Sequence, residues 1–190
     1  MTGGWFSRWF GRRGPEVRDR VWLDAAACTA GLLAQAGAAQ DQGDAVLVLV
    51  RSAIDLPECA QAFAARQPRV ADDSYAAADL RGELARFGAL ALSRVDVLRP
   101  LPALPRAAPR TALQVHVRAR DPRRSADARL LDLLDPFAAA TIIFHHALDD
   151  ALLREHARAL QPLLRSLHVS PQEAIDSPLL TRAIQRAQRP

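Results

Sequence analysis

The sequence predicts an α/β domain with a mainly parallel central sheet and helices on both faces. Two observations carry this. Residues 45–50 are six consecutive apolar residues, mostly valine and leucine, following Gly43-Asp44. A run of that length without polar alternation fits a strand buried on both faces. Further short strand patterns at 89–92, 113–117 and 140–145 alternate with longer helical ones. That alternation builds crossover units, which set strands parallel and cover the sheet on both sides.

Element by element, residues 15–42 read as helical, with Asp24 capping the run that starts at Ala25 and Gly43 ending it. After the 45–50 strand, a helix is expected over 56–66, with Pro57 tolerated in its first turn. Residues 67–73 read as an irregular connection, 75–87 as a helix and 89–92 as a short strand ended by Ser93. Pro100, Pro102, Pro105 and Pro109 forbid a helix and predict an extended loop over 99–110. Residues 113–117 alternate and suit a strand, 125–134 suit a helix broken at Pro136, and 140–145 form the last strand. A long amphipathic helix is expected over 148–167. Three units result: a tail at 1–14, the domain at 15–170, and an extension at 171–190 that leaves the domain as a turn and a helix start.

Composition narrows the function classes. The chain has 190 residues, enough for one domain with a real core and too few for two large ones. Hydrophobic residues make up 49%, which excludes general disorder. Net charge is +4, and all 25 basic residues are arginine. These arginines are spread among 21 carboxylates, which reads as a salt-bridged surface and not as a nucleic-acid footprint. Cys28 and Cys59 form no paired motif and read as small, buried, reduced side chains. No apolar stretch has the length of a signal peptide's core or of a membrane span, so the expected compartment is the cytoplasm.

The tail, MTGGWFSRWFGRRG, is distinct. Trp5, Phe6, Trp9 and Phe10 fall on one face at helical spacing, with Arg12 and Arg13 beside them. Aromatic rings with guanidinium groups suit a membrane headgroup interface or a groove on a protein partner, or the tail packs on its own domain. Peripheral attachment at the inner membrane is therefore a second expectation for location.

Several segments resemble a known family. After the 140–145 strand come Asp149 and Asp150, then an amphipathic helix. Ile175, Asp176 and Ser177 follow, then Thr181, Arg182, Ala183, Ile184, Ala187 and Gln188. This order resembles the exit from the second motor domain of SecA, the bacterial protein-translocation ATPase. Upstream, Val46 to Val50 with Ile54 and Glu58 stands where that family begins the same domain, and Arg94, Asp96 and Ala91 echo its Ala-Gly-Arg-Gly-Thr-Asp-Ile loop. The resemblance implies a RecA-like fold of the helicase second-domain type.

The departures imply lost catalysis. Both glycines of the Arg94 loop are missing. Arg123 and Arg124 keep a pair of arginines, but the family's Arg-Gly-Arg-Ser-Gly-Arg run is replaced by Leu130, Leu131, Asp132, Leu133, Leu134 and Asp135, followed by Phe137. Arginines there neutralise charge in phosphoryl transfer, worth roughly 10³–10⁵ in rate, and carboxylates would repel a triphosphate. With no lysine in the chain there is no phosphate-binding GxxxxGK[ST] loop. The expectation is a pseudo-ATPase without cofactor or metal that binds a protein partner, in one version a separate SecA-like first motor domain. Its contact surface is expected at Leu130, Leu131, Leu133, Leu134 and Phe137, unless these leucines cover the domain's own sheet. Alternatives are a split ATPase, with Arg94, Arg123 and Arg124 completing a partner's nucleotide site, and a membrane adaptor held by the tail.

Other chemistry is thin. His145 and His146 are adjacent on a strand, point to opposite faces and do not chelate as a pair; they read as the strand's exit, with Asp149 or Asp150 capping the next helix. Ser52, His116 and Asp96 are the components of a nucleophilic triad with nothing to bring them together. Arg120, Arg123, Arg124 and Arg129 read as an anion site or as a solvated helix face.

Overall fold

The computed structural model describes residues 15–71, 77–100, 112–166, 170 and 172–190. Among them run six strands: β1 (Glu16–Trp22), β2 (Ala45–Val50), β3 (Arg69–Ala71), β4 (Leu90–Arg94), β5 (Leu113–Arg118) and β6 (Thr141–Ala147). They form one sheet in the order β1-β6-β5-β2-β4-β3, and every pairing is parallel. The helices are α1 (Ala25–Asp41), α2 (Asp55–Ala62), α3 (Ala77–Leu84), α4 (Arg124–Leu134), α5 (Arg154–Ser166) and α6 (Pro178–Ala187).

The apolar run of β2 is buried at every position, and its side chains alternate between two cores. Leu47 and Leu49 join Leu80 and Leu84 of α3 and Leu130 and Leu134 of α4 on one face. Val46, Val48 and Val50 join Leu32, Ala36 and Ala39 of α1 and Cys59 of α2 on the other. Helices therefore cover both faces, as the α/β reading requires. Asp24 caps α1 by accepting the Ala27 N–H at 2.8 Å. Gly43 turns the chain from α1 into β2 with φ +90°, a conformation that a side chain disfavours.

Five expectations are corrected. Residues 16–22 are an edge strand and not part of a helix. Glu16, Arg18 and Arg20 alternate with Val17, Asp19 and Val21, and a half-exposed edge tolerates such charge where a central strand does not. The connection at 67–73 contains β3, a three-residue strand at the other edge. α5 starts at Arg154 and not at 148, because residues 148–153 form a turn. Asp150 does not cap that helix; its carboxylate accepts the Ala147 N–H at 2.8 Å and so finishes β6.

The fifth correction concerns the C-terminal segment, which does not leave the domain. Val21 and Ile175 exchange two backbone hydrogen bonds, at 3.1 and 2.7 Å. Ser177 then caps α6, with Pro178 in its first turn. Leu180 and Ile184 of α6 pack with Val21, Leu148, Leu153 and Ala157 in one apolar cluster.

Candidate functional site

Open parallel sheets bind ligands outside the carboxyl ends of their strands, where the connections diverge. Here that point lies between β2 and β5. The chain leaves β2 toward β3 on one side and leaves β5 toward β6 on the other. The crevice between the two strand ends is the place to look for a site, and this chain fills it with its own side chains.

Arg51, the residue after β2, reaches across it. Its Nε donates to the Ala119 carbonyl at 2.9 Å and its Nη2 to Asp127 of α4 at 2.5 Å, with Asp121 at 3.5 Å. Ala119 sits at φ +60°, an uncommon conformation for a side-chain-bearing residue, and follows directly on β5. The next residue, Arg120, grips Asp19 of β1 with two bonds at 2.6 and 3.2 Å and reaches Asp127 at 3.5 Å. Its guanidinium also lies 4.0 Å over the Phe144 ring. Asp127 further accepts the Asp121 N–H at 3.0 Å and the Gln188 amide at 2.6 Å, so α6 closes the cluster from outside. Gln188 also donates to the Asp121 carbonyl at 2.8 Å, and the Arg189 N–H donates to that of Pro122 at 2.8 Å.

The charges in this cluster are mutually satisfied. Asp19 is pushed up by burial, but the hydrogen bonds from His146 and Arg120 outweigh this and hold its carboxyl below the usual range. Both arginine heads that face the crevice are spent on carboxylates. A phosphate entering here would have to displace Asp127 and Asp19, each buried and multiply bonded.

A second buried polar feature lies on the other face, under α1. Trp22 Nε1–H donates to His145 Nδ1 at 3.3 Å, and His145 Nε2 meets His116 Nδ1 at 3.0 Å. Ring planes differ by only 10° and 25°, with centroids 6.1 and 5.2 Å apart. Those separations and the short N···N contact describe an edge-to-edge ribbon, not face stacking. The indole can only donate, so His145 carries its proton on Nε2 and gives it to His116. His116 then holds its proton on Nε2, which has no partner among the described residues. Burial lowers His116 to a pKa of about 4 and holds His145 well below the ordinary histidine value, so both are neutral at pH 7.

The expected site residues separate. Arg94 ends β4 and binds Asp96 at 2.9 Å. Arg123 precedes α4 and is exposed, whereas Arg124 donates to the Gln185 carbonyl and ties α4 to α6. Arg120 is inside the ionic cluster and Arg129 is exposed on α4, so the four-arginine anion group does not assemble. Leu130, Leu134 and Phe137 are buried in the core, and Leu131 and Leu133 pack against it half-buried. The expected contact surface on these leucines is therefore corrected: they cover the domain's own sheet. Trp5, Phe6, Trp9, Phe10, Arg12 and Arg13 lie outside the described residues.

The triad reading also dissolves. Ser52 Oγ accepts the Ile54 N–H, His116 serves the ribbon, and Asp96 serves Arg94. His145 and His146 do point to opposite faces, but both are fully buried, and His146 Nε2 meets Asp19 at 3.2 Å. Burial pushes the Cys28 thiol up to about 12 and Cys59 to about 11, so neither is a ready nucleophile. An open depression of about 390 Å³ lies against Arg69, Asp79, Glu83 and Arg86 at the β3 edge, away from the crevice. No group of His, Cys, Asp and Glu among the described residues is placed to hold a metal ion. No helix among them is long and apolar enough to cross a membrane.

Asp19, Arg51, Asp127 and Gln188 went unremarked as a group in the sequence, because no local spacing links positions so far apart. Comparison with known proteins adds little to the geometry. No protein-family model and no curated protein matches the chain. Among solved structures, it is similar to the C-terminal domain of a possible DNA helicase from Lactobacillus plantarum WCFS1. The two share 16% identity at a TM-score of 0.40, covering 72% of this chain and 76% of that one.

Proposed function

We propose that this chain is a non-catalytic binding module, an α/β domain that engages a protein partner and does not turn over nucleotide itself. The closure of the crevice between β2 and β5 carries this reading. A nucleotide site there needs free backbone donors and unpaired cations, whereas Arg51 and Arg120 are neutralised by Asp127 and Asp19. The absence of lysine from the sequence points the same way. The resemblance of Asp149-Asp150, Ile175 to Ser177 and Thr181 to Gln188 to SecA segments favours a separate SecA-like first motor domain as the partner, and so a link to protein translocation.

The test is titration calorimetry of the full chain with Mg-ATP, Mg-ADP and a purified SecA-like first motor domain. Binding of the motor domain without nucleotide binding is expected. Turnover of ATP by the chain alone would end the proposal. A split ATPase is the second reading, favoured by Arg94 and exposed Arg123 at the carboxyl edge. It requires the partner's turnover to rise on adding this chain, and to fall again with Arg123→Ala.

A further inference from the structure

The sheet ends on β1, and only part of that edge is covered. Val21 turns its backbone groups outward and spends both on Ile175. Bonding direction alternates along a strand, so Val17 and Asp19 also face outward. Glu16 and Trp22 face inward, with the Glu16 N–H on the Ala140 carbonyl and the Trp22 carbonyl on the Leu148 N–H. Beyond Ile175 the chain turns at Ser177 into α6. Among the described residues nothing pairs with the outward groups of Val17, whereas Asp19 is buried, at 4% exposure, and is not open to a partner. Val17 is 40% exposed and Leu179, at the start of α6, 73%. Glu16 and Arg18 flank Val17 in solvent and pair with each other at 2.8 Å.

We propose that this edge joins two copies of the chain, running antiparallel about Val17. In that register Val17 lies opposite Val17 and the two exchange both backbone bonds. Glu16 then lies opposite Arg18 of the second copy, and Arg18 opposite its Glu16. Opposite charges directly across antiparallel strands attract, and like charges repel. Edge strands are blunted by Pro and by charge turned inward, and Pro15 and the buried Asp19 close this edge on either side of Val17, leaving Val17 alone open. This edge alternates sign about an apolar centre and is complementary to itself, as a two-fold interface demands. Pro15, which has no N–H, limits the ladder at one end, and the Ile175 bridge limits it at the other. The register is thereby fixed and the contact is small, so the dimer is weak and concentration-dependent.

Sedimentation equilibrium of the full chain over a concentration series tests this. The mass should rise from 20.7 kDa toward twice that value. Arg18→Glu sets glutamate against glutamate and should abolish the rise. The double exchange Glu16→Arg with Arg18→Glu restores opposite pairs and should restore it. Val17→Pro removes only the outward donor, leaves the β6 ladder intact, and should give a monomer with an unchanged circular dichroism spectrum. A wild-type chain that stays at 20.7 kDa throughout overturns the proposal. So does a dimer indifferent to Arg18→Glu, or a double exchange that stays monomeric. If residues 1–14 occupy the edge instead, the chain will be monomeric with a Val17 amide protected from exchange, and that result also refutes it.

Discussion

Gly31 is where the buried ribbon meets its covering helix. A Cβ built there would fall 2.0 Å from the Trp22 ring, far inside contact distance. The glycine lets α1 sit on the indole, which places its N–H against His145. Gly31→Ala should therefore cost about 1–3 kcal/mol, the usual range for overpacking a fixed core, read as a lower urea midpoint. The ribbon also sets a pH dependence. His116 is lowered from 6.5 to about 4 in the fold, so below pH 6.5 the unfolded chain binds a proton that the folded chain refuses. Stability should fall as pH drops from 6.5 toward 4, by about 3 kcal/mol for this residue at full effect. Urea midpoints at pH 7 and pH 5 should differ less in the double variant His116→Gln with His145→Gln. An unchanged difference would show that other groups dominate. Little of this was legible in the sequence: adjacent histidines implied opposite faces, but a hydrogen-bonded line from Trp22 through His145 to His116 joins three different strands.

At the scale of elements, α6 and the start of α4 close the crevice together, though not with equal weight. Asp127 balances two arginines, and its loss leaves Arg51 with Asp121 at 3.5 Å and Arg120 with Asp19. Removal of the sole partner of a buried charge costs about 3–5 kcal/mol, and because each arginine keeps a carboxylate Asp127→Ala should fall near the lower end of that range. Gln188 contributes neutral donors to Asp127 and Asp121 at the outer side. Gln188→Ala should cost about 1–3 kcal/mol. Chemical denaturation of both variants checks the order, and an equal or reversed order would mean that α6 itself holds the cluster. Elements were read from the sequence unevenly for physical reasons. β2 and α4 were legible because an unbroken apolar run and a helical period are local signals. β1 was not, because its charged residues suit an edge that only β6 and Ile175 define. The return of α6 depends on the Val21–Ile175 bridge, a contact no local pattern announces.

For the whole molecule, order in the sheet is far from order in the chain. β1 is made first and pairs with β6, made last among the strands, so the edge cannot form before nearly the whole domain is present. β2 sits between β5 and β4, buried at every residue and covered on both faces. Opening its hydrogen bonds exposes both cores at once, so its amides should exchange only through global unfolding. β3 has a single neighbour and three residues, two of them exposed, and should open locally at far smaller cost. Native-state hydrogen exchange should therefore place Val46 to Leu49 at the full unfolding free energy, with slopes in denaturant to match. Arg69 to Ala71 should exchange faster and show almost no denaturant dependence. The β1 amides facing β6 should lie between, since α6 buttresses only the carboxyl half of that strand. Equal rates for β2 and β3 would mean that the sheet opens as one unit, and the layered division of its core would then not describe its energetics.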